Sequence, residues 1–367
     1  MAFSRISRRG FLKGLGTILG GSTFLSPLIG YANMVQSNQS ASIAGKRVRW
    51  IVPSKSGGGY DIYSRLIKPY YEKQLGMKIL IENVPGAGMI RGSKMLKEAK
   101  PDGLTQGILN GPGLLTANIT GQSNVPNLVS DFTILGRVTR SEQVWVTSST
   151  SPINTIYDAL NKDKLLFAIT DVGSLNFMNI AISSYLMGIE KNTEYIAGFA
   201  GSREPSLAAI RGEVDLVAFT FESLLDRIEA GDLRPILQIS DQQISSHPSL
   251  KGVPLLGGDN GIAVERAIRL GKNINEAQED STALVRLIGS GRIIAAPKGI
   301  KEDLFHYLEE GLYKSLTDPG FIKTCEAANR SLDVARSEEV LSDIMAITKS
   351  SNKFIPIIRR AIEKTRS

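Results

Sequence analysis

The chain of 367 residues has a single cysteine, Cys325, and two histidines, His247 and His306. One cysteine excludes an internal disulfide framework and any paired-cysteine redox or zinc motif. Two histidines argue against a multi-histidine metal centre and leave little for histidine-based catalysis. Cys325 precedes Glu326-Ala327-Ala328 in an amphipathic segment, which marks it as a core residue. His247, before Pro248 in a polar stretch, and His306, between Leu304 and Leu308, fit structural or surface positions. After residue 32 no run of ~18 apolar residues occurs, so no membrane span is expected there. Also missing are the phosphate loop GxxxxGK[ST], the dinucleotide fingerprint GxGxxG, the nucleophile elbow GxSxG and HExxH. No catalytic residue, metal or cofactor is therefore assigned.

What is present begins with charge. Lys+Arg number 43 and Asp+Glu 36, a formal net charge of +7. Four of the basic residues, Arg5, Arg8, Arg9 and Lys13, fall in the first 32, which hold no acidic residue; removing them leaves 39 against 36, a net of +3. That segment reads as a basic start, an apolar Gly-rich stretch and small residues around Tyr31, the order of an export signal. Its paired arginines point to the twin-arginine route, with an N-terminal membrane anchor as the alternative. Nucleic acid loses most of its support as a partner.

Along the rest, short apolar runs alternate with helix-period segments, which predicts an α/β fold with largely parallel sheets. Strands are expected at 48–52, 78–81, 105–109, 145–147, 165–170, 194–197, 214–219, 234–239 and 293–296. Residues 241–281 read as loop-rich with one amphipathic stretch around 264–270, and the final helical stretch should break at Pro356. Two strand-to-helix junctions carry the sharpest signal: Pro53-Ser54-Lys55-Ser56-Gly57-Gly58-Gly59-Tyr60-Asp61 and Asn83-Val84-Pro85-Gly86-Ala87-Gly88. Glycines bring backbone N–H groups close to a ligand, and at helix N-termini those groups attract an anion. Two such loops in consecutive βα units suit a carboxylate.

These loops resemble the P-F-P-P-G-G-G-T-D and N-R-P-G-A-G-G motifs of the extracytoplasmic solute receptors of tripartite tricarboxylate transporters, the Bug family. Further echoes follow in order: Pro101-Asp102-Gly103; Thr170-Asp171-Val172-Gly173-Ser174 for S-G-V-G-S; Phe199-Ala200-Gly201-Ser202 for Y-K-G-S; and Arg211 to Asp215 for G-G-Q-V-D. The resemblance implies a two-lobed periplasmic-binding-protein fold (type II-like) with a ligand cleft between lobes, residues 45–146 and 241–367 forming one lobe and 147–240 the other, with crossings near 145–147 and 239–241. It implies a small organic carboxylate ligand, held by Ser56, Gly57, Gly58 and Asp61 with Pro85, Gly86, Ala87 and Gly88. Thr170, Asp171, Gly173, Ser174, Phe199 and Gly201 would close over it from the second lobe. Asp61 has two open roles, ligand contact or helix cap.

The departures from the family pattern are Ser54 and Lys55, Met89 to Arg91, Asp171 in place of glycine, and Arg203. Lys55, Arg91 and Arg203 are either carboxylate partners or solvated charges. Asp171 would repel an anion but grip an amine. The implied partners are integral membrane transporter subunits, with the receptor itself a periplasmic monomer. A receptor feeding a signalling kinase and an exported enzyme are the alternatives.

Overall fold

The computed structural model describes residues 43–172, 174–199, 201–244 and 247–365. The export-signal reading of residues 1–32 lies outside them.

Eleven described strands form two sheets. The first contains β1 (Arg47–Val52), β2 (Lys78–Asn83), β3 (Thr105–Asn110), β4 (Phe132–Thr139), β10 (Arg292–Pro297) and β11 (Ala335–Arg336), in the order β11-β4-β10-β3-β1-β2. The second contains β5 (Gln143–Ser148), β6 (Leu165–Ala168), β7 (Thr193–Ile196), β8 (Leu216–Thr220) and β9 (Leu233–Ile239), in the order β7-β6-β8-β5-β9. The α/β expectation holds, but the sheets are mixed rather than largely parallel. β1 pairs in parallel with β2 and β3, and β6 with β7 and β8; β10 runs antiparallel to β3 and β4, and β5 antiparallel to β8 and β9. The reason is topological. A strand reached through a βα crossover re-enters parallel to its predecessor, whereas β5 and β10 arrive from the other half of the molecule. They enter at the edge where the parallel strands end, and so run the opposite way.

The chain passes between sheets at 140–142, not near 145–147, because β5 is paired on both sides through those residues. The stretch read as loop-rich contains two helices: Ile262–Arg269, where the amphipathic stretch was expected, and Ile274–Gly289, which was not. The second was hidden by its polar first turn. Asn273 caps it by accepting the Glu276 N–H, and only beyond residue 283 do Leu284, Leu287 and Ile288 bury. The C-terminal helices do separate around Pro356, into Ser337–Ser351 and Ile355–Lys364.

Helices Gly59–Leu75 and Glu302–Leu316 cover one face of the first sheet and bury Trp50, Tyr63, Tyr71, Leu308 and Leu312. Cys325 lies in this core, its thiol pushed up to about 11 by burial and the nearby Glu222 carboxylate, so it stays protonated. A larger cluster runs across both sheets, from Ile51 and Leu109 to Trp145 and Phe167. At its centre helix Leu175–Met187 is buried on almost every side, packed by helices Gly111–Ile119, Ile262–Arg269, Ile274–Gly289 and Ile355–Lys364.

Candidate functional site

The carboxyl ends of the parallel strands in both sheets carry the loops that the sequence singled out, the edge at which open α/β sheets bind ligands. In the first sheet Asp61 organises this edge. Its residue is 1% exposed, and its Oδ2 accepts from the Gly57 N–H (2.9 Å), Arg65 Nε (2.8 Å) and Ser56 Oγ (3.4 Å). Its Oδ1 accepts from Asn83 Nδ2 (3.0 Å), which also donates to the Ser54 carbonyl (3.0 Å). Burial alone would raise the Asp61 pKa; the bonds from Arg65, Gly57 and Asn83 outweigh it and hold the carboxyl at about 2. Asp61 is thus neither free for a ligand nor the N-cap, a position taken by Gly58. It braces the two glycine loops against each other.

The second loop is bent into a conformation that side chains rarely adopt. Gly86, Ala87, Gly88 and Met89 have φ of 132°, 47°, 60° and 78°. Two of these are not glycine, and left-handed backbone there stores strain of a kind that gathers at functional sites. The curl is held by Met89 N–H donating to the Gly86 carbonyl (3.0 Å) and Ser93 Oγ donating to the Met89 carbonyl (3.0 Å). Gly86, Ala87 and Gly88 are exposed, and Pro85 is half-buried.

In the second sheet Thr170, Asp171, Ser174, Phe199 and Gly201 share one edge; Gly173 lies outside the described residues. Ser174 caps helix Leu175–Met187 by accepting the Phe177 N–H (3.3 Å), and donates to the Asp171 carbonyl (2.8 Å). Thr170 Oγ1 donates to Asn176 Oδ1 (3.2 Å). The Thr170 carbonyl accepts from Gly198 N–H (3.1 Å) and that of Ile169 from Phe199 N–H (3.4 Å), which ties the two segments together. Asp171 is exposed at this edge, yet neighbouring protein desolvates its carboxyl enough to raise its pKa. Lys55, Arg91 and Arg203 are all exposed.

Sequence reasoning missed the group that joins the two edges. Glu222, in the first turn of helix Phe221–Glu229 after β8, reaches into the first lobe. Its carboxylate accepts from Tyr63 Oη (2.7 Å), Arg292 Nη2 (3.0 Å) and Ser331 Oγ (3.4 Å), with Arg330 Nη1 at 3.7 Å. The Arg292 guanidinium lies over the rings of Tyr63 and Tyr60, 4.7 and 5.2 Å from their centroids. Burial opposes its charge, but Glu222 and the two tyrosines raise its pKa above the usual value. Tyr60 is pushed up to about 12, mainly by burial. The one signal in the sequence was a charged residue opening an otherwise apolar central strand, Arg292 before Ile293-Ile294-Ala295-Ala296. Its partner 70 residues earlier left no trace in spacing.

Among the described residues no group of three or more His, Cys, Asp or Glu side chains is placed to hold a metal ion, and no helix is long and apolar enough to cross a membrane.

The same fold is found in solved structures. MatC from Rhodopseudomonas palustris, with bound malate, superposes with a TM-score of 0.63 at 18% identity, over 85% of this chain and 99% of that one. R. palustris Rpa4515, with adipate, gives 0.65 at 17% identity, over 85% and 97%. The periplasmic binding protein BugD gives 0.62 at 18%, over 86% and 97%. These likenesses establish the two-lobed periplasmic-binding-protein fold with its cleft. In sequence, a UPF0065 protein of Bordetella pertussis is 23% identical over 61% of this chain and 70% of its own length. Protein BugT of the same organism is 21% identical over 68% and 82%. A match to the Pseudomonas UPF0065 protein of the tcbD-tcbE intergenic region spans 63% of that relative. The family model described as "tripartite tricarboxylate transporter family receptor" matches residues 64–268, more than half of the chain. The chain belongs to this family of solute-binding receptors.

Proposed function

We propose that this receptor captures a small organic carboxylate between its lobes and delivers it to the integral membrane subunits of a tripartite tricarboxylate-type secondary transporter. The observation that carries this reading is the Asp61–Asn83 brace, which presents two glycine loops side by side at helix N-termini on the cleft edge. Backbone N–H groups and the dipole of the helix Gly59–Leu75 favour an anion there without any cationic side chain. Gly57, Gly58, Gly86, Ala87 and Gly88 would hold one carboxylate, with Ser56 and Pro85 at the margins. Thr170, Ser174, Phe199 and Gly201 would close from the other side. The malate and adipate in the solved structures of like fold support a ligand of this class.

In this reading the lobes divide at 140–142 and near 240 and 290. Helices Ile262–Arg269, Ile274–Gly289 and Ile355–Lys364 go with the second lobe, on whose buried helix they pack. Binding favours the closed state because contacts from both lobes exist only there. The protein works in the periplasm as a monomer, exported through its twin-arginine segment. Mass spectrometry of small molecules released from the native protein, followed by calorimetry on the stripped form, should identify a carboxylic acid. Small-angle scattering should show a smaller radius of gyration when that acid is restored. A non-acidic cognate ligand overturns the reading.

A further inference from the structure

The base of the cleft already looks like an occupied carboxylate site. One carboxylate, that of Glu222, is held by two guanidiniums, a phenol and a hydroxyl that all belong to the opposite lobe. The fit is uneven. Tyr63 and Arg292 are close, at 2.7 and 3.0 Å, while Ser331 and Arg330 stand back at 3.4 and 3.7 Å. Two cations share one anion, and buried charge left uncompensated is unfavourable. The Nε atoms of both Arg292 and Arg330 are buried with no hydrogen-bond partner among the described residues. Arg292 itself is 5% exposed. The group of donors is therefore larger and more positive than Glu222 satisfies.

Its position links it to the glycine loops. A Cβ on Gly59 would stand 3.0 Å from Arg292 Nη2, so the guanidinium lies directly against the first loop, in space that glycine leaves open. A ligand with one end on that loop has Arg292 within reach of its other end. Tyr63, raised by burial and by Glu222 well above the usual tyrosine range, keeps its proton and remains a donor.

We propose that Arg292 and Arg330, with Tyr63 and Ser331, form a second carboxylate seat at the base of the cleft, that Glu222 is its resident surrogate, and that the distal carboxylate of a dicarboxylate ligand displaces Glu222 from it. The proposal rests on the carboxylate reading above and narrows it to short dianions. Because Glu222 leads a helix of the second lobe, the exchange also couples the ligand's second charge to the relation between the lobes.

Calorimetry with succinate and butyrate, equal in carbon count and different in one carboxylate, tests it on the wild-type chain, Glu222→Gln and Arg330→Gln. Removing the surrogate's charge should raise the succinate-to-butyrate affinity ratio about tenfold, and removing a seat guanidinium should lower it about tenfold. Should Glu222→Gln fail to give a native circular dichroism spectrum and cooperative melt, the partly exposed Arg330 carries the test alone. A ratio unmoved in the folded variants, with wild type binding either acid, overturns the seat and leaves the carboxylate reading standing. Wild type binding neither acid overturns the seat for short dianions, and a non-acidic cognate ligand overturns both readings.

Discussion

The two rims of the cleft are built on different principles. The first-lobe rim is backbone, shaped by a buried carboxylate whose bonds all go to the loops and to Arg65, and by four successive residues of positive φ. The second-lobe rim is side chain: hydroxyls and an amide around a helix N-terminus, with Asp171 exposed at its edge. A backbone rim recognises what every carboxylate shares, whereas a side-chain rim can be altered residue by residue without disturbing the fold. Under the proposed function the contrast assigns general anion affinity to the first-lobe rim and, apart from the dianion preference proposed for the base of the cleft, ligand choice to the second-lobe rim. Substitutions on the two sides should therefore fail in different ways.

Asp61 should produce the largest failure. Asp61→Ala leaves the Gly57 N–H, Asn83 amide and Arg65 guanidinium without their acceptor and should cost about 3 kcal/mol in urea unfolding, with ligand binding lost. Its pH signature is specific. The native carboxyl is held at about 2, below its unfolded value near 3.9, which corresponds to about 2.6 kcal/mol of stability. That contribution is complete above the unfolded value and disappears as pH falls from about 4 to about 2. The difference in stability between wild type and Asp61→Asn should shrink over that interval and hold steady from pH 5 to 7.

Gly86 comes next. Its φ of 132° and ψ of 154° belong to a region open essentially to glycine alone. Gly86→Ala should cost about 1–3 kcal/mol. The reverse change at a strained neighbour is more telling: Ala87→Gly, at φ 47°, should leave stability unchanged or raise it by up to about 1 kcal/mol. It should nonetheless weaken ligand binding, because the loop is no longer held in shape. Equal or tighter binding by Ala87→Gly would show that the strain serves packing alone. On the opposite rim, Ser174→Ala removes an N-cap and should cost about 1 kcal/mol in thermal or urea unfolding.

The contrast also explains what could be read before the fold was known. The backbone rim was legible because glycine, proline and the Asp61 and Asn83 positions are local signals whose meaning is conformational. Gly76, at φ 64°, stops its helix for the same reason. What escaped was everything that depends on distant pairing. The antiparallel entry of β5 and β10 follows from the chain travelling between lobes, which no periodicity encodes. The helix Ile274–Gly289 runs Asn-Glu-Ala-Gln-Glu-Asp after its exposed Ile274 and shows its apolar face only toward its end. Glu222 and Arg292 are ordinary surface-type residues until two lobes bring them together. Asp61 itself was half legible: its position marked a structural role, but the role is a brace between loops rather than a cap.

Asp171 should have the smallest effect on stability and the clearest effect on choice. Its carbonyl is engaged by Ser174, and its side chain is exposed at the rim with its carboxyl raised by desolvation. A carboxylate already disfavoured by its surroundings opposes a second anion and welcomes an amine. Asp171→Gly should change unfolding free energy by no more than about 0.5 kcal/mol. It should strengthen binding of simple dicarboxylates several-fold and weaken binding of an amino dicarboxylate such as aspartate, both read by calorimetry against wild type. A parallel shift for the two ligand classes would remove Asp171 from the rim's selective function, and with it the division between an affinity lobe and a choice lobe. Opposite shifts at constant stability are what that division requires.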